Sequence, residues 1–178
     1  MGAYRLVIAF VVVGLFSLGV EVRSAWMSSD ATTATITITG GALSMSVPAV
    51  AGNLGSQPDA VGGEAISGPL GQVQVLDARN AAAGSGWIAS VISTAFTPAS
   101  GPTIAASAVS YAAGPITQVG TATYIANNPP NLTGVTPAVT ATGITGDNSA
   151  TWNPTITVSV PGGMAAGVYS ATITHSVL

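Results

Sequence analysis

The sequence has almost no charged side chains and no lysine at all. Charged residues make up 5% of the 178 residues, whereas an average soluble domain carries about 25%. After residue 25, one fixed positive charge faces five carboxylates: Arg79 against Asp30, Asp59, Glu64, Asp77 and Asp147. Nucleic acid and anionic membranes are therefore poor partners, because both are bound through cationic patches.

The sequence also lacks most of the side chains that carry out catalysis. It has no cysteine and one histidine, His175, so disulfides, thiolate metal sites and cysteine nucleophiles are excluded. No G-x-S-x-G motif accompanies the many serines. We predict a protein that is not an enzyme and that holds no cofactor and no metal. A calcium site at Asp147 and Asn148, in "TGDNSA", is the alternative to an ordinary polar turn.

The N-terminus has the layout of a secretory signal. Residues 1–25 contain Arg5, an apolar run over 6–20, and then small residues. The run is short for a membrane span, so we predict cleavage near Ser24 and a secreted protein, extracellular or associated with the cell wall. An uncleaved signal that anchors the chain to the membrane is the alternative. Residues 26–178 are too few for two comfortable domains, so we predict one.

The rest of the chain alternates between apolar and polar residues, which is typical of half-buried strands. "TATITIT" (33–39) and "ALSMSV" (42–47) alternate on either side of a Gly-Gly pair, which predicts a hairpin or one kinked strand. Residues 71–78 and 86–93 alternate on either side of "RNAAAGS". We predict that these two segments pair as antiparallel neighbours.

Two alternating runs end the chain. The run over 149–160 contains Pro154, which predicts an edge strand or a bulge, and the run over 168–177 contains His175 on its apolar face. Residues 48–71 read as a loop, and strands between 94 and 145 are expected to be short. No helical period appears anywhere after the signal. The pattern predicts an all-β fold, an antiparallel β-sandwich with Ig-like or jelly-roll connectivity.

Two blocks of the sequence resemble the WxL-domain family of secreted cell-surface proteins. "LDARNAAAGSGWIASV" (76–91) resembles a block that ends in a G-W-x-L strand, and "AGVYSATITHSVL" (166–178) resembles the family's terminal strand. The resemblance implies a WxL-like β-sandwich that binds peptidoglycan, or other surface proteins such as a WxL-interacting partner. The ligand-binding residues that it implies are Trp87, Ala89, His175, Val177, Asp77 and Arg79.

The blocks depart from the family pattern at several of these positions. Ala89 and Val177 stand where the family has leucine, and His175 stands where it has tryptophan. A neutral, partly buried imidazole there predicts that stability or assembly changes near pH 6. From the residues alone, Asp77 and Arg79 form either a ligand-contacting ion pair beside Trp87 or a surface pair that stabilises little.

A second stretch is similar to the start of camelysin and TasA-like proteins. It is "RSAWMSSDATTATITITGGALSMSV" (23–47), and the resemblance implies a fibre subunit that forms a homo-polymer by donating an N-terminal strand. The Thr/Ile run within it carries no charge, so its edge is not protected against pairing with another chain. The alternative function is therefore a structural subunit of an extracellular fibre, assembled by edge-strand or donor-strand pairing.

Overall fold

A computed structural model describes residues 35–37, 39–58 and 60–178. The predicted signal over 1–25 lies outside these residues. Thr35–Thr37 belong to a separate N-terminal unit and form no strand. Within the described part of the chain, no helix has the length and hydrophobicity needed to cross a membrane.

The described residues of the second unit form eight strands, one short 3-10 helix and no α-helix. The 3-10 helix spans Ala106–Ala108. The strands are β1 (Leu43–Ser46), β2 (Glu64–Pro69), β3 (Val73–Ser93), β4 (Val109–Ala112), β5 (Ile116–Ala126), β6 (Thr136–Trp152), β7 (Thr155–Val160) and β8 (Ile173–Val177).

The strands form two antiparallel sheets that enclose one apolar core. Sheet A has the order β1-β3-β6-β5, and β8 pairs with β3 on the same edge as β1. Sheet B has the order β2-β7-β4. The largest buried core residues come from both sheets and their connections: Trp87, Trp152, Leu132, Ile144 and Ile156. The predicted all-β antiparallel sandwich is confirmed.

Strand β3 corrects the prediction that residues 71–78 and 86–93 pair with each other. They are consecutive parts of one strand, and both pair with β6, from Val73↔Trp152 to Val91↔Thr136. The intervening residues form bulges, with Asn80 at φ 51° and Gly84 at φ 88°. The predicted connector is therefore a bulged part of one strand and not a turn. A bulge kinks the strand locally, but the chain continues in the same direction.

Pro154 marks the point where the chain passes from one sheet to the other. Strand β6 ends at Trp152 in sheet A, and β7 begins at Thr155 in sheet B. Trp152, Pro154, Ile156 and Val158 are all buried, and Val160 on the same face is half-buried. However, β7 is the central strand of its sheet and not an edge. A proline fits the crossing because it has no N–H to offer a ladder.

Several predicted boundaries also differ from the structure. The predicted loop over 48–71 contains strand β2, and β5, expected to be short, has 11 residues. Of the predicted strand over 33–39, the described residues are in no strand, while β1 confirms the strand predicted over 42–47. The last run keeps its alternation from Tyr169 onward, although β8 begins at Ile173.

Candidate functional site

An open apolar groove lies between the two sheets. Sheet B has three strands and sheet A has five, so sheet B covers only part of the inner face of sheet A. The groove has a volume of about 920 Å³ and is lined by β2 and β7, by β8, and by the segments 47–58 and 164–172. Its deeper lining is apolar and includes Leu70, Val73, Phe96, Ile104 and Ile156.

Side chains that face this groove remain partly exposed. In a closed sandwich, inward-facing residues are covered by the opposite sheet. Here Ile66, Val160, Met164, Tyr169 and Ile173 line the groove and are only half-buried. Apolar side chains that line a concave groove are a common feature of binding sites. The described residues therefore contain an apolar surface that they do not themselves cover.

The groove lies beside an unpaired sheet edge. On one side β2 pairs with β7, and on its outer side no backbone hydrogen bond is made by any described residue. The opposite edge of sheet B is better covered: Tyr111 N–H donates to Pro129 O at 3.0 Å, and Ala113 N–H donates to Asn128 Oδ1 at 2.9 Å. The open edge of sheet B is thus β2.

The structure joins Asp77 and Arg79 in a partly buried ion pair. Arg79 Nε donates to Asp77 Oδ1 and Nη2 donates to Oδ2, both at 2.8 Å, and the backbone N–H of Arg79 donates to Oδ1 at 3.1 Å. The Asp77 side chain is 0% exposed and that of Arg79 is 38% exposed. The hydrogen bonds from Arg79 hold the pKa of Asp77 below its usual value despite burial. The pair is therefore more than a surface contact.

Trp87 lies in the core next to this ion pair. Arg79 Nη2 donates to the carbonyl oxygen of Gly86 at 3.3 Å. Trp87 Nε1–H donates to Asn148 Oδ1 at 3.2 Å, and the hydroxyl of Tyr124 donates to the same oxygen at 3.1 Å. The rings of Trp87 and Tyr124 lie 5.7 Å apart in a tilted arrangement. Burial, and then the charge of the nearby carboxylate, raise the pKa of Tyr124.

The amide nitrogen of Asn148 is the one unsatisfied buried side-chain atom found among the described residues. Asn148 is 3% exposed and pairs in register with Asp77. The Asn148 amide is one of the groups that lower the pKa of Asp77, yet Nδ2 makes no bond of full hydrogen-bond geometry. The Asp77 carboxylate therefore depends mainly on Arg79.

His175 belongs to a chain of hydrogen bonds that links three strands. Trp152 Nε1–H donates to Tyr111 Oη at 2.9 Å, and Tyr111 Oη lies 3.3 Å from His175 Nε2. Burial lowers the pKa of His175 to about 4 and raises that of Tyr111 to about 12. His175 therefore stays neutral in the folded protein down to about pH 4, so the loss of stability predicted near pH 6 continues down to that pH.

The two blocks that resemble the WxL family are neighbours in sheet A. Ala89 of β3 pairs with Val177 of β8, and Val91 pairs with His175. Trp87 is 2% exposed and Ala89 is buried, while His175 and Val177 are half-buried. Of the six residues predicted to bind a ligand, Arg79 alone is exposed. Wall binding through these side chains stays a prediction.

The turn proposed for calcium has a structural contact. Asp147 Oδ1 accepts a hydrogen bond from the backbone N–H of Asn80 at 2.9 Å, which ties β6 to the bulge of β3. In the part of the chain that the structure describes, no three His, Cys, Asp or Glu side chains are grouped to hold a metal. His175 is hydrogen-bonded to Tyr111, and the described residues place no serine hydroxyl or carboxylate on its ring.

Three important residues were not predicted from the sequence: Asn148 as an acceptor in the core, and Tyr111 and Tyr124 as partners of the tryptophans. The alternation contained a signal for the first. Asn148 is two residues before Ala150 and four before Trp152, so it faces inward with them. No local pattern indicates which distant tryptophan a tyrosine will meet.

No protein-family model matches the chain, and no curated protein and no solved structure matches it either. The resemblances to WxL-domain and TasA-like proteins therefore stay predictions. What the protein does has to be argued from its own residues and geometry.

Proposed function

We propose that this protein is a non-enzymatic structural subunit that assembles with copies of itself outside the cell. In this proposal, a strand from one copy fills the groove of the next copy and pairs with the outer edge of β2. The observation that carries it is the open apolar groove beside an unpaired edge. A strand added there would satisfy the backbone groups of β2 and cover the half-buried side chains.

The segment best suited to fill the groove is the alternating run over 33–39. In an extended strand, its sequence "TATITIT" would place Ala34, Ile36 and Ile38 on one face and the threonines on the other. At about 3.3 Å per residue its seven residues span about 23 Å, which matches the six-residue strand β2. The apolar face would enter the groove and the threonine face would meet solvent.

The charge distribution also supports self-association. The run over 33–39 has no charged residue, and among the described residues that line the groove Glu64 alone is charged. The whole chain has a formal net charge of −3, so repulsion between copies is weak. Edges of natural sheets are usually protected by charges or proline, and β2 carries only Glu64 and Pro69, one at each end.

The proposal predicts head-to-tail assembly, which complementary variants test. A donor variant, Ile36→Asp with Ile38→Asp, spoils the apolar face of the donated strand. An acceptor variant, Ile66→Lys, places a charge in the groove at a half-buried position. Each variant alone should stay monomeric, whereas a mixture should form a 1:1 heterodimer, because one copy can still donate and the other can still accept.

The measurement is analytical ultracentrifugation of the full chain at micromolar concentration, with negative-stain microscopy of the wild type. Val135→Lys is the matched control, since Val135 is exposed and does not line the groove, and it should assemble like the wild type. A monomeric wild type without filaments would contradict the proposal. So would an acceptor variant that assembles normally. A wild-type monomer whose own 33–39 segment fills its groove is one form of the first outcome.

A further inference from the structure

The groove has a single imidazole in its wall, that of His175, which is hydrogen-bonded to a tyrosine. His175 lies on β8, and its Nε2 is 3.3 Å from the hydroxyl of Tyr111 on β4. The same hydroxyl oxygen accepts the Nε1–H of Trp152 at 2.9 Å. The His175 and Tyr111 rings lie 5.7 Å apart. The contact joins β8 of sheet A to sheet B beside the groove.

The hydroxyl of Tyr111 favours one tautomer of neutral His175. The hydroxyl of Tyr111 has one hydrogen, and the bond from Trp152 occupies one of its lone pairs. All three groups are satisfied when Tyr111 donates its hydrogen to an unprotonated His175 Nε2 and the ring proton lies on Nδ1. If Nε2 gained a proton, it could only donate to Tyr111, and the Tyr111 hydrogen would lose its acceptor.

No counter-charge is paired with an imidazolium at this position. From β3 the register partner is the uncharged Val91, and from β4 and β6 the facing groups are Tyr111 and Trp152. Across the groove the titratable groups are Glu64 on β2 and Tyr169. Among the described residues the ion pair joins Asp77 to Arg79, and His175 has no carboxylate partner.

We propose that His175 makes the filling of the groove dependent on pH, so that assembled subunits separate in acid. This inference rests on the proposed function, because it concerns the same groove. A strand in the groove would remove the remaining water from His175, and burial without a counter-charge disfavours the charged imidazole. The filled groove therefore requires neutral His175.

The sign of the effect follows from proton linkage. Burial already lowers the pKa of His175 to about 4 in the free subunit, and a filled groove lowers it further. Filling is therefore independent of His175 at neutral pH, where both states are neutral. Below about pH 4 the free subunit takes up a proton that the filled groove excludes, so each further pH unit weakens filling by up to about tenfold per subunit.

The experiment measures the critical concentration for assembly of the full chain by pelleting at pH 6, 4 and 3. Both compared proteins carry Glu64→Gln, which removes the carboxylate found among the described residues of the groove. One keeps His175, and the other carries His175→Gln, whose side-chain oxygen accepts from Tyr111 without titrating. We expect the critical concentration to rise by up to about tenfold between pH 4 and pH 3 with His175, and to rise much less with glutamine.

A second measurement separates the titration of His175 from partial unfolding of the subunit in acid. The imidazole pKa of His175 is followed by NMR in the labelled Ile36→Asp/Ile38→Asp variant, alone and in its 1:1 complex with unlabelled Ile66→Lys. A lower pKa of His175 in the complex supports the inference, and an equal or higher pKa overturns it.

In the pelleting experiment, an equal rise of the critical concentration in the histidine and glutamine proteins also overturns the inference. If neither protein assembles at pH 6, the result contradicts the proposed function, and the inference with it.

Discussion

Arg79 holds the fully buried carboxylate of Asp77 in a two-pronged hydrogen bond, with both oxygens 2.8 Å from the guanidinium nitrogens. The two residues are separated by one position on β3, and the bulge that begins after Asp77 lets the arginine remain exposed while its partner is buried. Two-pronged pairs of this kind fix geometry as well as charge. The pair therefore anchors the start of the bulged region.

Replacing Arg79 with methionine should destabilise the protein at pH 7, because it leaves a buried carboxylate without its counter-charge. Urea unfolding at pH 7 measures the loss. Arg79→Lys, which keeps the charge without the planar fork, should lose less.

The same substitution should change the pH dependence of stability. In the wild type the pKa of Asp77 is lowered mainly by Arg79. The stability that the ionised Asp77 contributes is therefore fully present above the pKa of Asp77 in the unfolded chain, and it is lost as the pH falls through the pKa of Asp77 in the folded protein. The stability that Arg79→Met loses relative to the wild type should shrink as the pH falls towards 4, because protonation neutralises the unpaired carboxylate. A deficit that is constant with pH would contradict this account.

Asn148→Ala should cost about 1–3 kcal/mol, because Trp87 Nε1–H and the Tyr124 hydroxyl lose their shared buried acceptor. Asn148→Asp should cost more at pH 7, since it places a second carboxylate in register with Asp77. This extra loss should diminish in acid. Thermal unfolding at pH 7 and pH 4 tests both, and the exposed Asn153→Ala should change stability by less than about 0.5 kcal/mol.

Tyr111→Phe should destabilise the protein by about 1–3 kcal/mol at neutral pH, because a buried donor on Trp152 and an acceptor on His175 lose their partner. Burial raises the pKa of Tyr111 to about 12, above the unfolded value of about 10. The wild type should therefore lose stability as pH rises from about 10 to 12. The gap between wild type and variant should narrow in chemical unfolding at alkaline pH, and a gap that widens there would contradict the assignment.

Gly120 and Gly84 have nearly the same positive φ, 89° and 88°, in different surroundings. A Cβ at Gly120 would lie 2.5 Å from the carbonyl oxygen of Asp147, whereas a Cβ at Gly84 would meet nothing within 4 Å. Gly84→Ala should cost about 1–2 kcal/mol from backbone strain alone, and Gly120→Ala clearly more. Equal losses in thermal unfolding would mean that the close approach between β5 and β6 can relax.

Part of the candidate site could be predicted from the sequence. The pairing of Asp77 with Arg79 follows from their spacing, and the inward position of His175 follows from the alternation of the last run. The burial of Asp77 and Trp87 did not follow, because it depends on β6 and β5, which are distant in sequence. The groove could not be predicted at all, since it arises from the unequal widths of the two sheets.

The strand faces of this protein are a local property, and its all-β character follows from them. Alternating side chains project to opposite sides of any extended backbone, so Trp152, Pro154, Ile156 and Val158 share an inward face whichever sheet contains them. Which strands pair depends on contacts between distant segments. The continuous strand β3, the change of sheet at Pro154 and the open edge of β2 were therefore decided by the tertiary structure. The physical reason is that each depends on which distant segments pair and on how far one sheet covers the other.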